Sequence, residues 1–203
     1  MLSYSKGAEA PLLRTTIAEA FRETADRLPD NPALISRHQG ARFTFAELTA
    51  EVERTARGLT GLGLSSQDRV GVWSTNCAEW VVLHLACARI GAVLVNVNPG
   101  YRAYELAFVL RKSRMKALFL WERDSRSDYK AILEEAVAAG NHTLEHVIYF
   151  GTDSWDGMRA KGADIARVEI AADAVTNEGE LDTLFGIGGQ SLSRLRTVGI
   201  SLL

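Results

Sequence analysis

Four short apolar runs, Arg69–Trp73, Ala92–Val97, Ala117–Trp121 and His146–Phe150, alternate with stretches of helical period. Strands separated by helices cannot pair as tight hairpins, because each must reach the next by a crossover. The pattern therefore predicts an α/β fold, a mostly parallel sheet flanked by helices. Right-handed crossovers are the default. The intervening helices are expected from Asn76 to about Ile90, Tyr101–Lys112 and Ser127–Ala139. Asn76 is placed to cap the first of them. That helix is apolar nearly all round, through Trp80, Val81, Val82, Leu83 and Leu85, and should be buried. Ala92–Val97 reads as a strand covered on both faces.

Upstream, Thr16 and Glu19 have the spacing of a capping box, and Thr44 and Glu47 repeat it. Each opens an amphipathic helix, the first through Ile17, Phe21, Ala25 and Leu28, the second through Leu48, Val52, Ala56, Leu59 and Leu62. Gly61 and Gly63 mark the end of the second. Two short strands, Ala33–Ser36 and Arg42–Phe45, lie between the helices, with His38, Gln39 and Gly40 in their turn. Residues 1–14 read as a loose lead-in, 15–150 as one α/β subdomain, and 151–203 as an irregular extension and tail with one short helix around Trp155–Ala160.

Composition excludes several classes. The 203 residues are 47% hydrophobic, too apolar for a disordered chain. Lys and Arg number 23 against 25 Asp and Glu, so no basic excess drives nucleic-acid binding. The most apolar window, Ala78–Val97, is interrupted by Glu79, His84, Arg89 and Asn96, which is costly at a bilayer centre. No transmembrane segment is expected. Cys77 and Cys87 on one helix would stand about 15 Å apart, beyond disulfide reach. Free thiols fit a reducing compartment, and a cytoplasmic location is the expectation.

Chemical motifs are few. His142 to His146 matches H-x-x-E-H, which binds zinc only when both histidines share one helix face. Gly140 and Asn141 break the preceding helix and His146 opens a strand, so no metal site is expected. Gly186-Ile187-Gly188-Gly189 lacks the preceding strand that a phosphate-cradling loop needs, and reads as tail. Arg111, Lys112, Arg114 and Lys116 read as a solvated helix end. No Gly-x-Ser-x-Gly elbow supports a hydrolase. Trp73, Trp80 and Trp121 are assigned to packing. No catalytic residue emerges.

Three blocks nevertheless resemble the adenylate-forming, AMP-binding enzyme superfamily. Arg42-Phe43-Thr44-Phe45-Ala46-Glu47-Leu48 is similar to its first core motif. Residues 69–80, Arg69-Val70-Gly71-Val72-Trp73-Ser74-Thr75-Asn76-Cys77-Ala78-Glu79-Trp80, resemble the next block of the fatty acyl-CoA synthetase branch. Residues 88–99, from Ala88-Arg89-Ile90-Gly91 to Asn98-Pro99, resemble the second core motif, and Tyr101-Arg102 with Glu105-Leu106 continues it. The resemblance covers about residues 15–160.

That resemblance implies the N-terminal part of an ATP-dependent fatty acid–CoA ligase. Such an enzyme joins a carboxylate to ATP, giving acyl-adenylate and pyrophosphate, and coenzyme A then displaces AMP. The full-length family uses ATP, Mg and CoA, with fatty acid and CoA as substrates. Its Thr-Ser-Gly-Thr-Thr-Gly phosphate loop does not occur in these 203 residues. The chain is therefore expected to bind none of these cofactors and to be inactive alone. It is read as truncated before the loop. Residues after about Asp182, which include no Asp or Glu, read as possibly out of frame. The resemblance offers Arg102, just after the Asn-Pro turn, as a contact for the CoA nucleotide phosphate. The competing reading is a helix-start arginine in solvent. Two other functions stand beside the ligase fragment. One is a binding module that self-associates, as a homo-oligomer, through an exposed apolar face. The other is a free-standing nucleotide-binding domain, with its ligand near Ser74–Asn76 and Asn96–Gly100.

Overall fold

Both capping boxes form as read. The Thr16 hydroxyl accepts from the Glu19 N–H at 3.1 Å while the Glu19 carboxylate accepts from the Thr16 N–H at 2.9 Å. They open helix α1 (Ile17–Arg27). Thr44 and Glu47 do the same for α2 (Phe45–Gly61), at 3.2 and 2.8 Å. Between these helices, β1 (Pro32–Ser36) and β2 (Ala41–Thr44) form an antiparallel hairpin. Its turn needs Gly40 at φ +66°, a left-handed conformation that glycine adopts without steric cost. The structure, a computed structural model, describes residues 15–138 and 140–166.

The remaining elements alternate: β3 (Arg69–Trp73), α3 (Ala78–Ile90), β4 (Val93–Asn96), α4 (Ala103–Ser113), β5 (Ala117–Leu120), α5 (Tyr129–Ala138), β6 (His146–Tyr149) and α6 (Asp153–Lys161). The four later strands form one parallel sheet in the order β4-β3-β5-β6. The fold class is thus α/β, a parallel sheet flanked by helices. The short helix expected around Trp155–Ala160 is α6.

Strand periodicity divides the core into two layers. Val70, Val72, Ala117, Phe119 and Ile148 face a cluster with Phe21, Leu48, Leu59, Leu83, Trp155 and Met158, so α1, α2, α3 and α6 cover one side. Trp73, Val95, Leu118 and Leu120 face Leu106, Leu110, Tyr129 and Leu133 from α4 and α5 on the other. Each fully buried leucine of these layers contributes roughly 1.5–3 kcal/mol of transfer free energy. Close approach fixes the identity of Gly71 in central β3. A Cβ there would stand 2.8 Å from Leu118 Cδ1 and overlap Met115 Sδ.

Strand β4 lies at the sheet edge yet packs on both faces as expected, Leu94 against the first cluster and Val95 within the second. One local expectation is corrected. Asn76 does not cap α3, whose N-cap is Cys77, with no cap bond from its side chain. Among the described residues, no helix is long and apolar enough to cross a membrane.

Candidate functional site

The sheet order places a topological switch beside β3. Its two neighbours, β4 and β5, come from crossovers running in opposite directions. In open parallel sheets, ligands bind beyond the strand C-terminal ends at such points. An open cleft of about 880 Å³ lies there, lined by His38, Ser74, Thr75, Asn76, Trp80, Asn96, Val97, Asn98 and Pro99. The two segments named from sequence, Ser74–Asn76 and Asn96–Pro99, meet in it.

Local bonding shapes the walls. Trp73 is fully buried, and its Nε1–H donates to the Asn98 carbonyl at 3.0 Å, tying the end of β3 to the turn after β4. The Asn98 side-chain oxygen accepts from the Gly100 N–H at 2.9 Å, closing that turn. Ser74 is buried, with its Oγ 3.8 Å from Cys77 Sγ. Cys77 is itself buried, and burial pushes its thiol above its ordinary value, the environment of a packing cysteine. Cys87 is buried and free like Cys77. Trp80 stacks on His84, ring planes 4° apart and centroids at 5.5 Å. Burial lowers the His84 pKa, which keeps that imidazole neutral.

Sequence reasoning missed the role of one residue that braces this wall. Gln39, in the hairpin turn, supplies the α3 cap through its Oε1, which accepts from the Ala78 N–H at 2.8 Å. Its Nε2 donates to the Glu79 carboxylate, and its Oε1 also accepts from the Ser36 hydroxyl at 2.7 Å. This brings the hairpin, with His38, against the cleft. The only local signal was the Gln39 amide in a turn.

The other sequence candidates fall elsewhere. Arg102 does not line the cleft; it is exposed, and its Nη1 donates to Ser127 Oγ at 3.2 Å. The H-x-x-E-H histidines share no helix: His142 Nδ1 accepts from the Leu144 N–H at 3.2 Å, while the His146 Nε2 faces the Leu62 carbonyl at 3.1 Å. In the basic cluster, Lys116 pairs with Asp68 at 2.6 Å and Arg111 lies over the Phe108 ring at 5.6 Å. Gly186–Gly189 and the stretch after Asp182 lie outside the described residues.

The lining is hydroxyl, amide, imidazole, indole and aliphatic. It carries no Lys, Arg, Asp or Glu. A triphosphate with its magnesium requires cations and carboxylates around it. These residues do not fit that group. They fit a neutral, hydrogen-bonding ligand.

Residues 21–182 match the AMP-binding enzyme family. The chain belongs to that family. This AMP-binding family chain is 40% identical over 135 residues to the medium-chain acyl-CoA ligase ACSF2, mitochondrial, of Mus musculus, which covers 66% of the chain and 22% of the relative. The chain thus spans about a fifth of the length of the curated relatives it matches. Among solved structures, it is similar to the N-terminal domain of FACL13 from Mycobacterium tuberculosis, with 25% identity and a TM-score of 0.66, over 78% of this chain and 38% of that one. It shares the fold of a long-chain-fatty-acid-CoA ligase, FadD1, from Archaeoglobus fulgidus, with 21% identity and a TM-score of 0.67, over 83% of this chain and 34% of that one.

Proposed function

We propose that the chain forms the N-terminal α/β lobe of an ATP-dependent acyl-CoA ligase and is inactive by itself. The observation that carries this reading is the uncharged cleft at the sheet's C-terminal edge, set in a fold shared with acyl-CoA ligases. Joining a carboxylate to ATP brings two anions together, so the reaction needs fixed positive charge at the phosphates. The cleft supplies hydroxyls and amides instead, which orient a neutral group. The missing charge belongs to a phosphate loop that these 203 residues do not contain. Arg102, exposed beside Ser127, remains the proposed contact for the CoA nucleotide phosphate. The test is pyrophosphate release by the purified 203-residue chain with ATP, magnesium and medium-chain fatty acids. No release above a protein-free control is expected. Sustained release, free of any full-length ligase, would overturn the reading.

A second reading has its own observation. Tyr104 is 85% exposed and Phe108 52% exposed, one turn apart on α4. Such a pair favours a non-catalytic module that associates with a second copy of itself. Sedimentation at rising concentration separates the two. Dimer formation that Tyr104→Ser with Phe108→Ser abolishes would favour the module, and a monomer at all concentrations would exclude it.

A further inference from the structure

A second cleft, of about 430 Å³, lies between α2 and α6. Its lining includes Arg54, Arg57, Asp156 and Arg159, with Gly162 and Ala163. Two glutamates of α2 serve four arginines here. Glu51 faces Arg159 directly and Arg54 at 3.6 Å. Glu53 holds Arg89 at 2.8 Å and stands 3.8 Å from Arg57. The links to Arg54 and Arg57 exceed hydrogen-bond length. The buried Nε groups of Arg57 and Arg159 have no hydrogen-bond partner among the described residues. Among the described residues named here, with Asp156 counted, four guanidinium charges face three carboxylates.

The arrangement is held rigidly. Arg159 lies over the Trp155 ring at 5.4 Å, its side chain 11% exposed. The walls approach at backbone distance: a Cβ on Gly162 would stand 2.6 Å from the Arg57 carbonyl oxygen, and one on Gly58 would stand 3.0 Å from Arg159 Cα. Arg159 alone could be read as a cation favoured by the carboxyl end of α6. That account does not cover Arg54 and Arg57, which lie one to two turns inside α2. Arg54 and Arg57, part-exposed and beyond hydrogen-bond length from their glutamates, offer guanidinium groups that match the oxygens of a phosphoryl group.

We propose that the Arg54–Arg57–Arg159 cleft is a binding site for the phosphoryl group of a small organic phosphate. The site is separate from the strand-end cleft and does not depend on the ligase reading. Its volume exceeds that of a phosphate ion, so the organic part enters with the anion. The test uses the full 203-residue chain with inorganic phosphate and phenyl phosphate as probes, followed by calorimetry and phosphorus NMR at low salt. Saturable binding is expected, tighter for phenyl phosphate. Arg57→Gln should weaken it about tenfold, the loss of one charge-assisted hydrogen bond. Arg54→Gln, at the most exposed of the three arginines, should weaken it without unfolding the chain, and Asp156→Asn should tighten it. Arg102→Ala should leave it unchanged. Absence of saturable binding, indifference to Arg54→Gln and Arg57→Gln alike, or loss on Arg102→Ala instead would overturn the proposal.

Discussion

The Gln39 and Glu79 side chains, 40 residues apart in sequence, meet at 2.8 Å, amide nitrogen to carboxylate oxygen. The same amide caps α3 at Ala78, so one side chain joins the hairpin to the helix that forms a wall of the strand-end cleft. Gln39→Ala leaves the α3 start uncapped. Loss of an N-terminal cap costs about 1 kcal/mol. A fall of that size in unfolding free energy is expected in urea, with the slope unchanged. A double-mutant cycle with Glu79→Ala should return a non-additive term, because the two residues share a bond.

Gly71→Ala tests the narrowest point of the sheet. The added methyl meets Leu118 and Met115, both fully buried. Overpacking of this kind costs roughly 1–3 kcal/mol. Met115→Ala should cost stability in the parent, through its cavity, but recover part of the loss in the Gly71→Ala background. Additive losses in thermal unfolding would show that the methyl is accommodated elsewhere.

Helix α6 and its C-cap hold two glycines of opposite character. Gly157 is exposed in mid-helix, and a Cβ there meets nothing within 4 Å. Gly157→Ala should stabilise by about 0.5–1 kcal/mol, the helix-propensity difference. Gly162→Ala drives a methyl into the Arg57–Gly58 peptide and should destabilise. Denaturation midpoints of the two variants should move in opposite directions.

The loop after β5 and the first residue of α5 carry two groups with opposed pH signatures. Burial works to raise the Asp124 carboxyl, but the N–H groups of Arg126 and Ser127 and the Tyr129 hydroxyl outweigh it and hold the acid below its ordinary value. Its contribution is present above the unfolded carboxyl range, about 3.9, and is lost as pH falls through the lowered folded value. Tyr129 moves the other way: burial, and then its bond to Asp124, push it up to about 12. Its contribution is complete below the ordinary tyrosine value of about 10 and is lost as pH rises toward 12. Asp124→Asn should flatten the acid limb of a stability–pH profile, and Tyr129→Phe the alkaline limb.

Features encoded within a few residues were legible in the sequence. The capping boxes at Thr16 and Thr44, the turn at Gly40 and the alternation of strands with helices all depend on local bonding or period. The position of β4 was not, because its neighbours are set by which crossover packs where, and an edge strand can be as apolar as a central one. Asn76 was read as a cap since it stands at the right local position, yet the cap arrives from Gln39 through tertiary packing. The strand-end cleft could be located from the two turns that form it. The arginine cleft could not, because Arg57 and Arg159 are brought together only when α6 lies against α2.

Strand β3 takes both of its neighbours from sequence that follows it, β4 from one side and β5 from the other. On the ribosome, which adds residues from the amino end, Val70 and Val72 emerge long before Phe119 exists to lie beside them. The sheet must grow outward from a seed that finds its first partner at β4 and keeps its other edge open until Leu120 is made, so nascent β3 is a stretch in need of a chaperone's protection.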